Sequence, residues 1–415
     1  MGNHHGPQAR RVVALAIVVS SVALASVLRA GPADQKAVAN SGMAAVVDAN
    51  NRFAIDLYSA LDVGAGNVFF SPFSIATALA MAFEGARGTT ADEMQKALHF
   101  PRDDDARRSG FAAVQQTINH PNAAHRLNVA NALWAQRDYR FLSTYTDIVR
   151  RYYGGTATNV DFLHANADAT RTIDRWIADK TNDKIKGMFP PGSLSSTTRL
   201  VLTNAIYFKG RWISEFDKKL TTDEDFRVGS RSAVKVPLMQ TSGGTFKYAE
   251  TPELQILELP YQGGELVMRI VLPRTDDLRS LEKSLSMVRL TAWTNALKHQ
   301  RVDVFIPRFT FNARYSLNDS LDKLGMRTAF SAAADLSGMD GTRDLSIQAV
   351  IHQAFVDVNE EGTEAAAATG IAVVEATAIQ PPVPVFRADH PFVFMIQQAK
   401  SGNILFLGRV ANPKA

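Results

Sequence analysis

The sequence predicts a single mixed α+β domain. Segments of helical period fill much of the first half, and alternating, strand-like segments crowd the chain from residue 225 onward. Neither an internal repeat nor a low-complexity linker separates the two. The 415 residues are 46% hydrophobic and 21% charged, the balance of a globular protein with a large core.

The chain opens on a targeting signal. Arg10 and Arg11 precede the apolar run VVALAIVVSSVALASVL (12–28), and Ala23, Leu24 and Ala25 resemble a signal-peptidase site. Residues 1–29 are therefore expected to be a signal peptide cleaved after Ala25, which sends the protein to the periplasm or outside the cell. The alternative is an uncleaved membrane anchor, since the run is near the lower limit for a span. Residues 30–45 read as a small-residue linker, and 46–415 as the folded domain.

The first expected helix carries Phe53 and Leu57. The run NVFFSPFSI (67–75) starts as a short apolar strand, and Ser71 before Pro72 then fits an N-cap with proline at the first helical position. Residues 90–98 start another helix after the break GARGTT. LNVANALW (127–134) alternates as a strand does; 139–153 reads as a helix, and so does the segment with Ile173, Trp176 and Ile177. LVLTNAIYF (200–208) is apolar on both sides and so belongs inside a sheet. Strands follow at 254–259, 266–272, 302–306 and 349–358. Residues 315–324 read as a helix stopped by Gly325, and 391–397 with 404–410 as a hairpin turning at Ser401, Gly402 and Asn403.

One stretch resists ordinary assignment: EEGTEAAAATGIAVVEATAIQ (360–380). It is too apolar for a flexible linker. Gly370, Val373 and Val374 weaken a helix. Taken alternately, Thr363, Ala365, Ala367, Thr369, Ile371 and Val373 form one uncharged face, with Glu364 on the other. The stretch suits both an exposed loop and a buried central strand.

Composition excludes several functions. With no cysteine there is no disulfide, thiolate nucleophile, Cys-based zinc site or lipoprotein anchor. The net charge of +4 comes without a dense basic block or an aromatic-interleaved stripe, so nucleic-acid binding has no support, and no basic helix face favours a heparin-like cofactor. No G-x-S-x-G elbow, Walker loop, G-x-G-x-x-G or H-E-x-x-H occurs. The histidines lack metal-ligand spacing, and no metal or other cofactor is expected. A dispersed Ser/His/Asp triad stays open.

The motifs that remain, in order, are NVFFSPFSI (67–75), LTNAIYFKGRW (202–212), LPY (259–261), FIPRF (305–309), LGM (324–326), His352, NEEGTEA (359–365), DHPF (389–392) and GRVANP (408–413). Carrying them, the chain from about residue 50 to its end resembles a serpin. The resemblance implies three β-sheets with eight to nine helices and makes residues 360–385 an exposed reactive-centre loop. A serine protease attacks that loop and forms an acyl-enzyme. The N-terminal part of the loop then inserts into the largest sheet as a new strand, and the distorted protease cannot deacylate. The chain itself is then not an enzyme; its partner is the target protease in a covalent complex, and it acts as a monomer, at a membrane only if the N-terminal segment is uncleaved.

The resemblance also distributes roles. The hinge is Glu360, Glu361, Gly362, Thr363, Glu364, Ala365, Ala366, Ala367, Ala368 and Thr369, which must be small because it enters the sheet first. Ser71, Ser74, Asn204 and His352 match the shutter, where strands part, and Trp212, with the Lys209–Gly210 turn, the breach, where the loop enters. The family spacing sets the scissile bond at Ala376–Thr377; counting back from Pro381, Pro382 and Phe386 allows Thr377–Ala378 or Ala378–Ile379. All are small or β-branched, which suits the shallow pocket of an elastase-like, or a subtilisin-like, protease. The alternatives are a non-inhibitory serpin and a cross-class inhibitor of papain-like cysteine proteases.

Overall fold

The computed structural model describes residues 32–61, 63–119, 125–190, 192–229, 231–363 and 382–415. The expected signal peptide, the hinge from Glu364 to Thr369 and every candidate scissile bond lie outside them.

Helix α1 (Pro32–Ala60) begins inside the stretch expected to be a linker. Proline suits a first helical position, and Ala, Gln and Lys propagate the helix well. After β1 (Val68–Phe70), Ser71 caps α2 (Pro72–Gly85) by accepting the Ser74 N–H on its hydroxyl. Next come α3 (Gly88–Ala97), α4 (Asp104–Ile118), β2 (His125–Gln136), α5 (Ser143–Tyr153), β3 (Thr156–Val160), α6 (Asn166–Lys180) and β4 (Leu200–Arg211). Helix α5 starts four residues later than the sequence predicts, because the Tyr139 N–H is used in a turn to the Gln136 carbonyl and the Leu142 N–H reaches Met339.

The strand-rich half contains β5 (Thr222–Gly229), β6 (Ser232–Glu250), β7 (Leu254–Pro260), β8 (Leu266–Pro273), α7 (Leu278–Ser284), α8 (Met287–Ala296), β9 (Lys298–Pro307) and β10 (Phe309–Ser316). Then follow α9 (Asn318–Lys323), a 3-10 turn (Thr328–Phe330), α10 (Ser337–Asp340), β11 (Ala349–Asn359), β12 (Gly362–Thr363), β13 (Val385–Arg387), β14 (Phe392–Gln398) and β15 (Ile404–Val410). Tyr315 is strand rather than helix: β11 supplies its ladder, pairing Tyr315 with His352. The expected helix shrinks to α9, with Gly325 just beyond it in the left-handed region.

Six strands form one sheet in the order β10-β11-β12-β4-β2-β3. Nine form a second network, β1-β15-β14-β8-β7-β6-β9-β13, with β5 on β6. The 19-residue β6 joins two sheets within that network: it pairs β5 through one end and β7 through the other, and its register shifts between Thr241 and Gly244. The resulting architecture is the mixed α+β fold that the sequence predicts.

The six-stranded sheet is covered on both faces. On one lie α2 and the nine-stranded network, where Phe69 stacks on Phe394 and Phe406. On the other, α6 and the connection after it bury Trp134, Ile173, Ile177, Ile185, Met188 and Phe189. Burial on both faces is why β4 reads as an unbroken apolar run.

Candidate functional site

The site is a seam in the middle of this sheet. Strands β4 and β11 pair in parallel from Val201–Ala349 up to Tyr207–Phe355. Above that row they part, and β12 sits between them, antiparallel to both: Thr363 lies opposite Gly210 and Val358, and Gly362 opposite Arg211 and Asn359. The seam is thus closed at one end and wedged open at the other by the first two small residues of the predicted hinge.

Beneath the closed end, the structure brings the predicted shutter residues together. The Ser71 N–H donates to His352 Nε2 at 3.1 Å. That nitrogen is therefore an acceptor, and the ring proton sits on Nδ1, which donates to Asn204 Oδ1. Asn204 Nδ2 donates in turn to Ser74 Oγ and to Asn131 Oδ1, and Ser74 Oγ donates to Asn131 Oδ1 at 3.3 Å. His352 is fully buried, and this desolvation drives its pKa down to about 3, so the ring is neutral. A hydrolase triad at His352 has no support, since Nδ1 meets an amide rather than a carboxylate.

Asn131 was not singled out in the sequence. Its signal was a polar residue on the inward phase of β2, between Leu127, Val129 and Leu133, directly across the ladder from Asn204. Tyr315 was also missed. Its ring lies parallel to that of His352, 6.3 Å centre to centre, and its hydroxyl accepts the Phe69 N–H.

The open end is built differently. Trp212 is buried, stacks on Tyr261 at 4.5 Å, and donates its indole N–H to the Asn359 carbonyl at 3.0 Å. The Trp212 and Phe216 N–H groups hold the carbonyls of Glu361 and Glu360. Thr363 is fully buried, with its hydroxyl 3.0 Å from the Tyr261 hydroxyl. Gly362 has φ +149°, and a Cβ there would lie 2.1 Å from the Gly210 carbonyl oxygen. No other residue fits that position.

The two acids before the glycine are buried and paired. Glu360 accepts from Thr221 Oγ1 at 2.7 Å and lies 3.5 Å from Arg308. Glu361 pairs with Lys218, and that pairing holds the Lys218 ammonium above its usual pKa. Lys218, Thr221, Arg308 and Glu360 line a cavity of about 620 Å³ at this gate. The partners Lys218 and Thr221 carried no sequence signal, and Arg308 stood in the quoted FIPRF motif without an assigned role. Tyr261 stood in a quoted motif without an assigned role.

Residues 48–413 fit the family model described as serpin (serine protease inhibitor). The chain is a serpin. It is 44% identical over 371 residues to a serpin-like protein of Thermococcus kodakarensis, covering 89% of this chain and 86% of that one. To the human leukocyte elastase inhibitor it is 42% identical over 377 residues, 88% of this chain and 98% of that one. Among solved structures it is similar to Serpin48 of the insect Tenebrio molitor, described as a highly specific serpin, with a TM-score of 0.81 and 34% identity over 88% of this chain and 98% of that one. Among the described residues no helix is long and apolar enough to cross a membrane.

Proposed function

We propose that this serpin is a suicide-substrate inhibitor of serine proteases with elastase-like specificity. The observation that carries the reading is the wedge: Gly362 and Thr363 already occupy the mouth of the seam in strand register. Continuing that register would bring residue 366 opposite Tyr207 and Phe355. Thr369 would come between Asn204 and His352, on the face the alternation assigns to it. A hydroxyl there can join the shutter's hydrogen bonds in place of those that opening breaks.

The covalent chemistry belongs to the protease. Its serine attacks the carbonyl carbon of Ala376, the peptide bond to Thr377 breaks, and the amine of Thr377 departs with the proton taken from the serine. The ester that remains ties Ala376 to the protease. The freed strand then enters the seam, carries the protease with it, and hydrolysis of the ester stalls. Serpin stability supplies the driving force, because the cleaved loop completes a sixth full strand. The elastase preference rests on Ala376, Thr377, Ala378 and Ile379, none of which fills a deep pocket, and on the likeness to leukocyte elastase inhibitors.

Incubation with pancreatic elastase and a denaturing gel test this. A covalent band, with mass spectrometry placing the released fragment at Thr377, is the expected result. Cleavage without a band makes the protein a substrate-type serpin. A covalent complex formed by cleavage after Arg387 overturns the specificity. The apolar run at 12–28 behind Arg10 and Arg11 supports export of the inhibitor, which N-terminal sequencing of the secreted protein would read as a start at Ser26.

A further inference from the structure

Above the seam, on the face opposite the shutter, the connection from α6 to β4 crosses the sheet. At one side it is tied to α6: Thr181 Oγ1 accepts the Ile185 N–H at 3.2 Å and donates to the Ile177 carbonyl at 2.8 Å. At the other it is tied to β10, where Arg314 Nε donates to the Met188 carbonyl at 2.6 Å. Between these ties, Asn182 and Asp183 take φ values of +50° and +61°, two consecutive left-handed positions without glycine.

That turn delivers Lys184. Its ammonium lies 5.8 Å from the ring centre of Tyr207 and 5.7 Å from that of Phe355. The two rings belong to different strands, 6.0 Å apart, and they form the last paired row before β4 and β11 diverge. A single cation therefore binds both edges of the seam at its branch point. Both contacts are cation–π attractions, and separating the strands must lose at least one of them.

The geometry points to Lys184 as a positioning residue for loop insertion. It closes the seam at the fork, and so sets the rate at which the strands part and the division of cleaved inhibitor between trapped complex and released product. This rests on the insertion mechanism proposed above. It acts through Tyr207 and Phe355. Insertion must win a race against deacylation, so a staple at the fork slows the trapping step, in exchange for guarding the uncut protein against unprompted opening.

The test uses the full chain as wild type, Lys184→Met, Lys184→Arg, the ring variant Phe355→Leu with Tyr207→Leu, and Lys184→Met combined with that ring variant. The first readout needs no protease: the rate at which a labelled synthetic peptide of residues 363–376 enters the sheet, followed by native gel. Lys184→Met is expected to take up the peptide roughly threefold to tenfold faster, and Lys184→Arg within about twofold of wild type. Without the two rings, Lys184→Met should change nothing relative to the ring variant alone, a result that a general packing defect would not give. The second readout is the number of inhibitor molecules consumed per elastase trapped, which should fall for Lys184→Met. Equal uptake by wild type and Lys184→Met overturns the proposal, as does acceleration that persists without the rings. So does a wild-type sheet that takes up no peptide at all. Failure of wild type to trap elastase, with peptide uptake still accelerated in Lys184→Met, refutes the inhibitor reading and leaves the staple standing.

Discussion

The two ends of the β4–β11 seam are built from different chemistry. The closed end is a neutral network of two serines, two asparagines and an uncharged histidine, all buried. The open end combines a stacked Trp–Tyr pair with two buried carboxylates, each reaching outward to a cation or a hydroxyl. Neutral hydrogen bonds can be parted and remade around an incoming threonine without moving charge through the core. The mouth does the opposite: the buried contacts of Glu360, Gly362 and Thr363 hold the start of the hinge in strand register. Under the proposed inhibitory mechanism, this difference would give passage to the closed end and registration to the open end.

The largest expected effect comes from placing the wrong chemistry at the mouth. Thr363→Arg would bury a guanidinium where a fully buried hydroxyl now meets Tyr261, at a cost of roughly 3 kcal/mol or more. The loop should still be cut, but insertion should fail. A denaturing gel with elastase is expected to show cleaved inhibitor and almost no covalent band. A full yield of complex would mean that Thr363 does not enter the sheet on the buried face.

Next is the closed end. Asn204→Ala removes the residue that bridges His352 to Ser74 and Asn131, and leaves the His352 Nδ1–H without its acceptor. An orphaned buried donor together with a lost network should cost about 2–3 kcal/mol. The expected signs are a lower urea midpoint and faster peptide entry, with inhibition of elastase partly retained. If Asn204→Ala abolished trapping as completely as Thr363→Arg, the distinction between passage and registration would collapse.

How much of this contrast was legible in the chain depended on chemical locality. The cap at Ser71 and Pro72 is a local arrangement, and the residues alone placed it. The apolar β4 run announced its central position for the same reason. The shutter and the hinge came through the resemblance to a family, because Ser71, Asn204 and His352 meet only through tertiary packing. Lys218 and Thr221 were invisible, and Arg308 stood in a quoted motif with no role assigned: a surface lysine looks the same whether its partner is water or a buried carboxylate 143 residues away. Tyr315 was misread because a helical pattern of apolar residues overlapped a strand whose ladder is completed from β11.

A pH series sharpens the contrast at the closed end. His352 titrates at 6.5 when unfolded and at about 3 in the folded chain, owing to its burial. Between those values the unfolded chain binds the proton that the folded chain excludes. Stability from this residue is therefore complete above about pH 6.5 and declines as the pH falls toward 3, by up to about 1.4 kcal/mol per pH unit. At pH 5 the loss should be about 2 kcal/mol. The check is urea unfolding from pH 7.5 to 5 for wild type and His352→Gln; the variant is less stable at neutral pH, and its slope with pH should be shallower. Parallel slopes would place the titrating group elsewhere.

The smallest expected effect is at the outer rim of the mouth. Lys218 is solvent-exposed, and although its pairing with Glu361 raises its pKa, water and salt screen the attraction. Glu361 keeps its backbone bond to Trp212 whether or not the lysine is present. Lys218→Met should therefore shift thermal unfolding within the error of the measurement, and any shift should vanish at high salt. Its use is as a control on registration. If the hinge is fixed by the buried contacts of Glu360, Gly362 and Thr363, peptide entry and elastase trapping should match wild type. If removing this one exposed charge lets the hinge slip, the number of inhibitor molecules consumed per protease should rise, and registration would belong to the surface pair instead.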